Sequence, residues 1–175
     1  YSILVCLVGS EMCIRDRAQH VYTELDVGKV GFRKGQYMAS TDEIYINVEG
    51  QNGHAAIVEG TKNPISVASQ LVYELNSYFK KKKSYKHIFS IGDFISKGST
   101  NIIPKIAKLK GTFRAMSEDF RKKSHENIRR IVSVIEKESN CKVFLEIRKG
   151  YPSLFNDVEI LSLIHISEPT RHTRI

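Results

Sequence analysis

The sequence has few cysteines and no apolar run of membrane-spanning length. Of its three cysteines, Cys6 and Cys13 lie within the first 17 residues, which are set aside below, and Cys141 stands alone in the rest. These numbers exclude an intrachain disulfide framework and a Cys-x-x-Cys metal knuckle, and a lone thiol fits a reducing, cytoplasmic location. Because a membrane-spanning helix needs roughly 18 to 20 consecutive apolar residues, we expect no membrane partner.

The two ends of the sequence are related as inverted complements at the level of codons. Residues 12–17 can be encoded by ATG TGT ATA AGA GAC AGx and residues 161–166 by CTG TCT CTT ATA CAC ATC, which are reverse complements over their shared length. The relationship continues outward through residues 7–11 and 167–171. It is typical of one sequencing adapter read through in both directions. We therefore predict that residues 1–17 and 161–175 are adapter-derived and non-native, and we exclude them from the functional interpretation.

An excess of basic residues gives the chain a formal net charge of +8. Lysine and arginine clusters can bind nucleic acid by releasing counterions from its phosphates. The densest cluster here, residues 80–83 with Lys86, follows a predicted helix, where cations complement the negative end of the helix dipole. It is better explained as a solvated turn, and we expect no nucleic-acid partner.

Hydrophobic periodicity predicts four strands. A period of two places Ile44, Ile46 and Val48 on one face of a strand, as in a half-buried sheet. Similar alternation marks three later segments. The predicted strands are residues 43–49, 87–96, 106–115 and 142–148.

Apolar residues recurring every three or four positions predict two helices. The first begins with Asn63 as the N-cap and Pro64 in the first turn. The second covers residues 117–138, with Ser117 as a possible cap. The apolar stripe of the first is Ile65, Ala68, Leu71, Val72, Leu75 and Phe79, and that of the second is Phe120, Ile128, Ile131, Val132 and Ile135.

The order strand, helix, strand, strand, helix, strand is the split βαβ pattern. It predicts an α+β, ferredoxin-like βαββαβ fold, in which a four-stranded antiparallel sheet carries two helices on one face. Residues 87–96 contain no proline and are a candidate edge strand. Since this architecture hosts many activities, motifs must indicate the function.

Four short motifs occur in a fixed order along residues 18–160. They are QHV at 19–21 with ELDVG at 24–28 and GQYMASTD at 35–42; GQNGHAA at 50–56 with NPI at 63–65; NIIP at 101–104 with GTFR at 111–114; and GYP at 150–152 with ND at 156–157. Their order and spacing resemble the lid domain and its flanks in the zinc-dependent aminoacylase, hippurate hydrolase and carboxypeptidase G family. The resemblance implies that residues 18–41 end a first catalytic-domain segment, 42–149 form the lid or dimerisation domain, and 150–160 return to the catalytic domain.

The resemblance also implies roles for four residues. His20 matches a zinc ligand, and His54 matches a catalytic histidine that hydrogen-bonds the substrate or the tetrahedral intermediate. Asn101 and Arg114 match positions that bind the substrate carboxylate, for which an amide donor and a planar guanidinium are suited. Without the motifs, His20 is more often a surface or packing residue, and surface or turn roles are the stronger explanation for the others.

The activity implied for the complete parent protein is hydrolysis of the amide bond of N-acyl amino acids or similar small peptides. Zinc or another divalent metal would activate a water molecule together with a general-base glutamate that lies outside this sequence. A catalytic zinc needs about three protein ligands, so we expect the fragment to be inactive alone and to bind zinc weakly. Family lids associate as symmetric homodimers, which implies the same here, with His54 serving the partner's active site.

Two other functions remain open at this stage. Lys110-Gly111-Thr112-Phe113 partly matches the basic-Gly-aromatic strand motif of four-stranded RNA-binding modules. A dimerisation module without a catalytic role is the second alternative. If changing Arg114 in the complete parent abolishes binding of an N-acyl amino acid, the enzyme is favoured over a dimerisation module without a catalytic role. Salt-sensitive retention of RNA would instead favour the RNA-binding module.

Overall fold

The computed structural model describes residues 3–9, 15–21, 23–57, 62–159 and 161 of the chain. It divides into two compact units, one of residues 1–38 with 153–175 and one of Ala39–Pro152. We call the first the flanking unit and the second the central unit. Within the described residues the helices and strands are, in chain order, β1 (Ile3–Gly9), β2 (Arg15–Val21), β3 (Val30–Gly31), β4 (Gly35–Met38), β5 (Asp42–Glu49), β6 (Gly53–His54), α1 (Pro64–Lys80), β7 (His87–Ser96), β8 (Ile102–Ile103), β9 (Ile106–Ala115), α2 (Glu118–Glu138), β10 (Lys142–Lys149) and β11 (Leu154–Asn156).

A four-stranded antiparallel sheet forms the body of the central unit. Its strand order is β10-β5-β9-β7, with every neighbouring pair antiparallel. Of the two helices, α1 lies in the connection between β5 and β7, and α2 lies between β9 and β10. The predicted α+β, ferredoxin-like βαββαβ fold is therefore confirmed. The order also places β7 at an edge of the sheet, as the sequence predicted.

The core lies between the sheet and the two helices. Ile44, Ile46 and Val48 on β5 are fully buried, whereas the residues between them are exposed or half-buried, as a period of two requires. Leu71 and Leu75 of α1 belong to the same apolar cluster. The opposite face of the sheet, which we call the outer face, carries polar and charged side chains on β5 and β9 and some exposed apolar side chains on the edge strands β7 and β10.

Both helices begin where the sequence predicted. The side chain of Asn63 accepts a hydrogen bond from the backbone N–H of Ile65, and that of Ser117 accepts one from Phe120. One position of the predicted stripe of α1 is wrong, because Ile65 is exposed and Val67 is buried in its place. In the first turn, the buried Pro64 and Val67 fix the face that α1 presents to the core.

Short strands make up the flanking unit. The backbone of β1 pairs antiparallel with β2 and parallel with β3, and β11 pairs with β4. Asn156 is buried and donates from Nδ2 to the carbonyl of Arg33 at 2.8 Å. Leu161 is also buried, but it is not part of the central apolar cluster. The adapter origin of residues 1–17 and 161–175 stays a prediction, and residues 1–2, 10–14 and 162–175 lie outside the described part of the chain.

Candidate active-site residues

His54 and Asn101 lie side by side in the central unit. The two-residue strand β6, which ends at His54, pairs with β8, and Ile102 is the direct partner of His54. Next to this pair, the backbone N–H of Ala55 donates to the carbonyl of Asn101 at 2.9 Å. Two loops that are distant in sequence are thereby held together by main-chain hydrogen bonds. Both candidate side chains are exposed.

The ring of His54 is fixed in one orientation. Its Nδ1 accepts a hydrogen bond from the backbone N–H of Ala56 at 3.2 Å. In a neutral imidazole one nitrogen accepts and the other carries the proton. The proton of the neutral ring therefore sits on Nε2, which makes His54 a hydrogen-bond donor toward solvent.

The side chain of Asn101 is oriented in a similar way. Its Oδ1 accepts a hydrogen bond from the hydroxyl of Ser99 at 2.9 Å. The Nδ2 group has no hydrogen-bond acceptor among the described residues and is available as a donor. His54 and Asn101 thus each carry an exposed N–H donor, on loops whose backbones are hydrogen-bonded to each other. Such a pair suits an oxyanion or a carboxylate.

Arg114 lies at the opposite end of β9 from these two residues. Asn101 belongs to the connection that leads into Ile106 at the start of β9, whereas Arg114 is near its end. At the ordinary rise of a strand, Ile106 and Arg114 are about 26 Å apart. Within one chain, Arg114 and Asn101 therefore lie toward opposite ends of β9.

The guanidinium of Arg114 points away from the core. Arg114 is exposed between the buried Phe113 and Ala115, so its side chain lies on the outer face of the sheet. Among the described residues no carboxylate forms an ion pair with it. Because a guanidinium is planar and can donate two parallel hydrogen bonds, the unpaired Arg114 is suited to bind a carboxylate ligand.

The described residues do not provide a metal site. The backbone of His20 lies in β2, where it pairs with Leu4. No three histidine, cysteine, aspartate or glutamate side chains of the described residues are close enough together to hold a metal ion. A catalytic zinc needs about three protein ligands and an open position. The residues present do not fit such a metal without further ligands.

A buried ionic network in the central unit was missed by the sequence analysis. Asp42 at the start of β5 accepts hydrogen bonds from Nε of Arg121 at 2.9 Å and from Nε2 of His125 at 2.7 Å. All three residues are buried. Arg121 also donates to the carbonyl of Gly150 at 3.1 Å. The network therefore joins β5, α2 and the end of β10.

The protonation states in this network follow from its geometry. Burial alone raises the pKa of Asp42, but the hydrogen bonds from Arg121 and His125 outweigh it, so the pKa of the carboxyl lies below its ordinary value. Burial lowers the pKa of His125, and this effect exceeds the opposing attraction of Asp42. The stable arrangement is an ionised Asp42, a charged Arg121 and a neutral His125 that donates from Nε2.

The two chain segments that connect the units are tied to each other beside this network. The backbone N–H of Thr41 donates to the carbonyl of Tyr151 at 3.0 Å, and that of Gly150 donates to the carbonyl of Thr41 at 2.7 Å. The hydroxyl of Thr41 accepts a third hydrogen bond from the N–H of Tyr151 at 3.1 Å. Entry to and exit from the central unit are thus fixed at one point.

The model of the peptidase dimerisation domain family matches residues 41–140, which run from the start of β5 to the end of α2. The chain belongs to the peptidase dimerisation domain family. The resemblance to the lid domain of metal-dependent amidohydrolases, stated from the motifs, is confirmed.

Relatives of this peptidase dimerisation domain include a deacetylase. The N-acetyldiaminopimelate deacetylase of Halalkalibacterium halodurans is 33% identical over 144 residues, which are 81% of this chain and 39% of that protein. The chain therefore spans well under half the length of this relative.

Two solved structures have a similar fold. A protein from methicillin-resistant Staphylococcus aureus, described as a candidate aminohydrolase, has a TM-score of 0.76 at 23% identity, over 85% of this chain and 40% of that chain. The YxeP protein of Bacillus subtilis, described as a dinuclear metal-binding peptidase of the M20 family, has a TM-score of 0.63 at 25% identity, over 85% and 36%.

In this dimerisation domain, the main aromatic residue of the RNA-binding motif is not available for stacking. Phe113, the aromatic position of the Lys-Gly-Thr-Phe motif, is fully buried beneath the helices. A base can stack only on an aromatic ring that is exposed on the sheet. The motif therefore does not provide a stacking platform.

Within residues 3–9, 15–21, 23–57, 62–159 and 161, neither helix combines the length and the apolar character that crossing a membrane requires.

Proposed function

We propose that this chain is the dimerisation domain, with short flanks, of a metal-dependent amidohydrolase that cleaves the amide bond of N-acyl amino acids. The family match and the relatives, one of which is an N-acetyldiaminopimelate deacetylase, support the proposal. In this proposal, residues 42–149 form the lid, and residues 18–41 and 150–160 border catalytic-domain segments. His20 is one ligand of the metal, proposed to be zinc, and the other ligands and the general base belong to the rest of the protein.

The observation that carries the proposal is the distribution of three candidate residues over two places. His54 and Asn101 each carry a hydrogen-bond donor on two adjacent loops, and Arg114 presents an unpaired guanidinium near the far end of β9. A pair of donors stabilises the negative charge that develops on a carbonyl oxygen during hydrolysis. A guanidinium binds the carboxylate of an amino acid. Each group suits its role, and within one chain the two places lie toward opposite ends of β9.

A second copy of the chain could place its His54 and Asn101 beside Arg114 of the first copy. In a twofold dimer, each active site would combine Arg114 of its own chain with His54 and Asn101 of its partner. The edge strand β7 and the neighbouring α1 offer a contact surface, since Tyr73, Ile88 and Phe94 are exposed there. A twofold contact uses the same surface on both copies. The dimer would thus be required for catalysis as well as for assembly.

Subunit complementation in the complete enzyme tests this arrangement. Dimers formed from His54→Ala and Arg114→Ala subunits contain one site in which both residues are native, and another in which both are altered. Random mixing in equal amounts should restore about a quarter of the native activity, because half of the dimers are mixed and each has one intact site. No restoration, although mixed dimers form, would show that His54 and Arg114 act within one chain.

A second pair of variants serves as the matched control. His54 and Asn101 are held by the same hydrogen-bonded loops, so both come from the same subunit in every site. Mixing His54→Ala with Asn101→Ala should therefore restore nothing. Full activity of all three variants by themselves would favour a dimerisation module without a catalytic role.

A further inference from the structure

The carboxylate of Asp42 connects the first and the last segment of the central unit through α2. Its Oδ2 accepts hydrogen bonds from Nε of Arg121 and from Nε2 of His125. Its Oδ1 accepts one from the guanidinium of Arg121 and another, at 3.3 Å, from the backbone N–H of Gly150. A carboxylate has about four acceptor positions, so all of them are occupied. We call Asp42, Arg121, His125 and Gly150 the clamp.

Both backbone groups of Gly150 are bonded within this clamp. Its N–H contacts Asp42, and its carbonyl accepts a hydrogen bond from the guanidinium of Arg121 at 3.1 Å. The same guanidinium donates to the carboxylate of Glu118 at 3.1 Å. The position of Gly150 therefore depends on the charges of two buried side chains, whereas α2 itself is also held by apolar residues such as Ile128 in the core. The clamp can open without unfolding the sheet.

His125 is the clamp residue whose charge can change near neutral pH. The neutral ring that donates from Nε2 carries no proton on Nδ1, and Nδ1 forms no hydrogen bond among the described residues. Protonation would add an N–H group without an acceptor to a buried ring, which is unfavourable. To hydrate that N–H, the ring must turn toward solvent, and it then gives up its hydrogen bond to Asp42.

The charged groups around His125 oppose its protonation in the closed clamp. Asp42 faces the ring from β5, and Arg121 and Arg129 act on it from α2. On the side of β9 lies the uncharged ring of Phe113, with 6.0 Å between the ring centroids. Burial, with a smaller contribution from the two arginines, lowers the pKa of His125 despite the attraction of Asp42.

We propose that the clamp is an acid-sensitive device: on protonation His125 leaves Asp42, and the segments at Thr41 and Gly150 separate while the sheet stays folded. In the open clamp the ring is hydrated and binds a proton at its ordinary pKa of 6.5, whereas in the closed clamp its pKa is lower. The closed clamp is therefore fully stable above pH 6.5 and loses stability as the pH falls below that value.

Hydrogen exchange of single backbone amides, measured on the chain by NMR at pH 7 and pH 5, tests the proposal. Protection is expressed relative to an unstructured amide at the same pH. The amide of Gly150 should lose protection by up to about 30-fold at pH 5, the limit that a proton-binding group of pKa 6.5 sets. Low concentrations of urea should leave its exchange unchanged, because local opening exposes little surface.

The matched control is the amide of Gly50, which donates to the carbonyl of Lys105 at 2.9 Å. It also lies at the border of the sheet, but at the other end of β5 and away from His125. Its protection should be the same at both pH values.

A variant and a titration complete the test. His125→Gln keeps an N–H donor toward Asp42 but does not titrate, so the protection of Gly150 should no longer depend on pH. If this variant does not fold, NMR titration of the native His125 ring replaces it, and the ring should titrate below pH 6.5. The proposal is wrong if Gly150 keeps its protection at pH 5. It is also wrong if Gly150 loses protection only together with Ile46 of the core and with the urea dependence of global unfolding.

Discussion

Nε2 of His125 and Oδ2 of Asp42 lie 2.7 Å apart in the interior of the central unit, where Arg121 contacts the same carboxylate. Removing the carboxylate by Asp42→Ala would leave the buried guanidinium of Arg121 with only the partly exposed Glu118 as an ionic partner. Loss of one partner from a buried ion pair costs about 3–5 kcal/mol. We expect the free energy of unfolding, measured by urea denaturation, to fall by that amount.

An exposed ion pair gives the matched control for this substitution. Asp93 pairs with Lys110 at 3.1 Å, but both side chains are in contact with solvent. Asp93→Ala should lower the free energy of unfolding by less than about 1 kcal/mol. Equal effects of the two substitutions would mean that the Asp42 network contributes no more than a surface pair.

The same network makes stability depend on pH. Burial lowers the pKa of His125 below its ordinary 6.5, so below that pH the unfolded chain binds a proton that the folded chain does not. The free energy of unfolding should therefore decrease as the pH falls from 7 toward 5. The lowered pKa of Asp42 adds a second decrease, which begins only below about pH 3.8.

Urea denaturation at several pH values can separate the contribution of His125. His125→Gln keeps an N–H donor toward Asp42 but does not titrate, so it should reduce the slope between pH 7 and 5. A native protein whose stability is constant over this range would contradict the assigned neutral state of His125.

The sequence predicted the fold because local patterns and tertiary packing agree. Alternation in β5 and the caps at Asn63 and Ser117 each indicate one local structure, and the folded protein has that structure in each case. The order of elements then leaves few sheet topologies. Register and the exposure of Ile65 could not be predicted, since they depend on how α1 rotates against strands distant in sequence.

The buried network escaped prediction because charged residues on a helix usually face solvent. A signal was nevertheless present. Arg121 and His125 continue the stripe of Ile128, Val132 and Ile135 at steps of three and four residues, so they occupy core-facing positions of α2. Their partner, Asp42, begins a strand far away in sequence, and no local pattern identifies it. The separation of Arg114 from Asn101 is likewise a property of the folded sheet.

Substitution of two glycines tests the close contact between Gly150 and Thr41, which joins the two segments that enter and leave the central unit. A Cβ atom on Gly150 would overlap the carbonyl oxygen of Thr41, whereas one on Gly92 has nothing within 4 Å. Because backbone atoms must move, Gly150→Ala should destabilise the protein by about 1–3 kcal/mol, the usual effect of overpacking. Gly92→Ala should change the free energy of unfolding by about 0.5 kcal/mol or less. Thermal unfolding of both variants distinguishes the two sites, and equal midpoints would contradict the close contact.

The edge strand β7 leads to a prediction about assembly. Ile88 on β7 is 59% exposed, and Phe144 on the opposite edge strand β10 is 53% exposed. If two copies pair through β7 and α1, Ile88→Lys places two like charges at a twofold contact and removes apolar area. This should weaken dimerisation by about tenfold or more, since 1.4 kcal/mol suffices. Phe144→Lys loses a comparable exposed apolar group away from the contact, so the dimer should keep its native dissociation constant. Sedimentation equilibrium over a range of concentrations measures both constants, and a larger effect of Phe144→Lys would place the interface on the β10 edge instead.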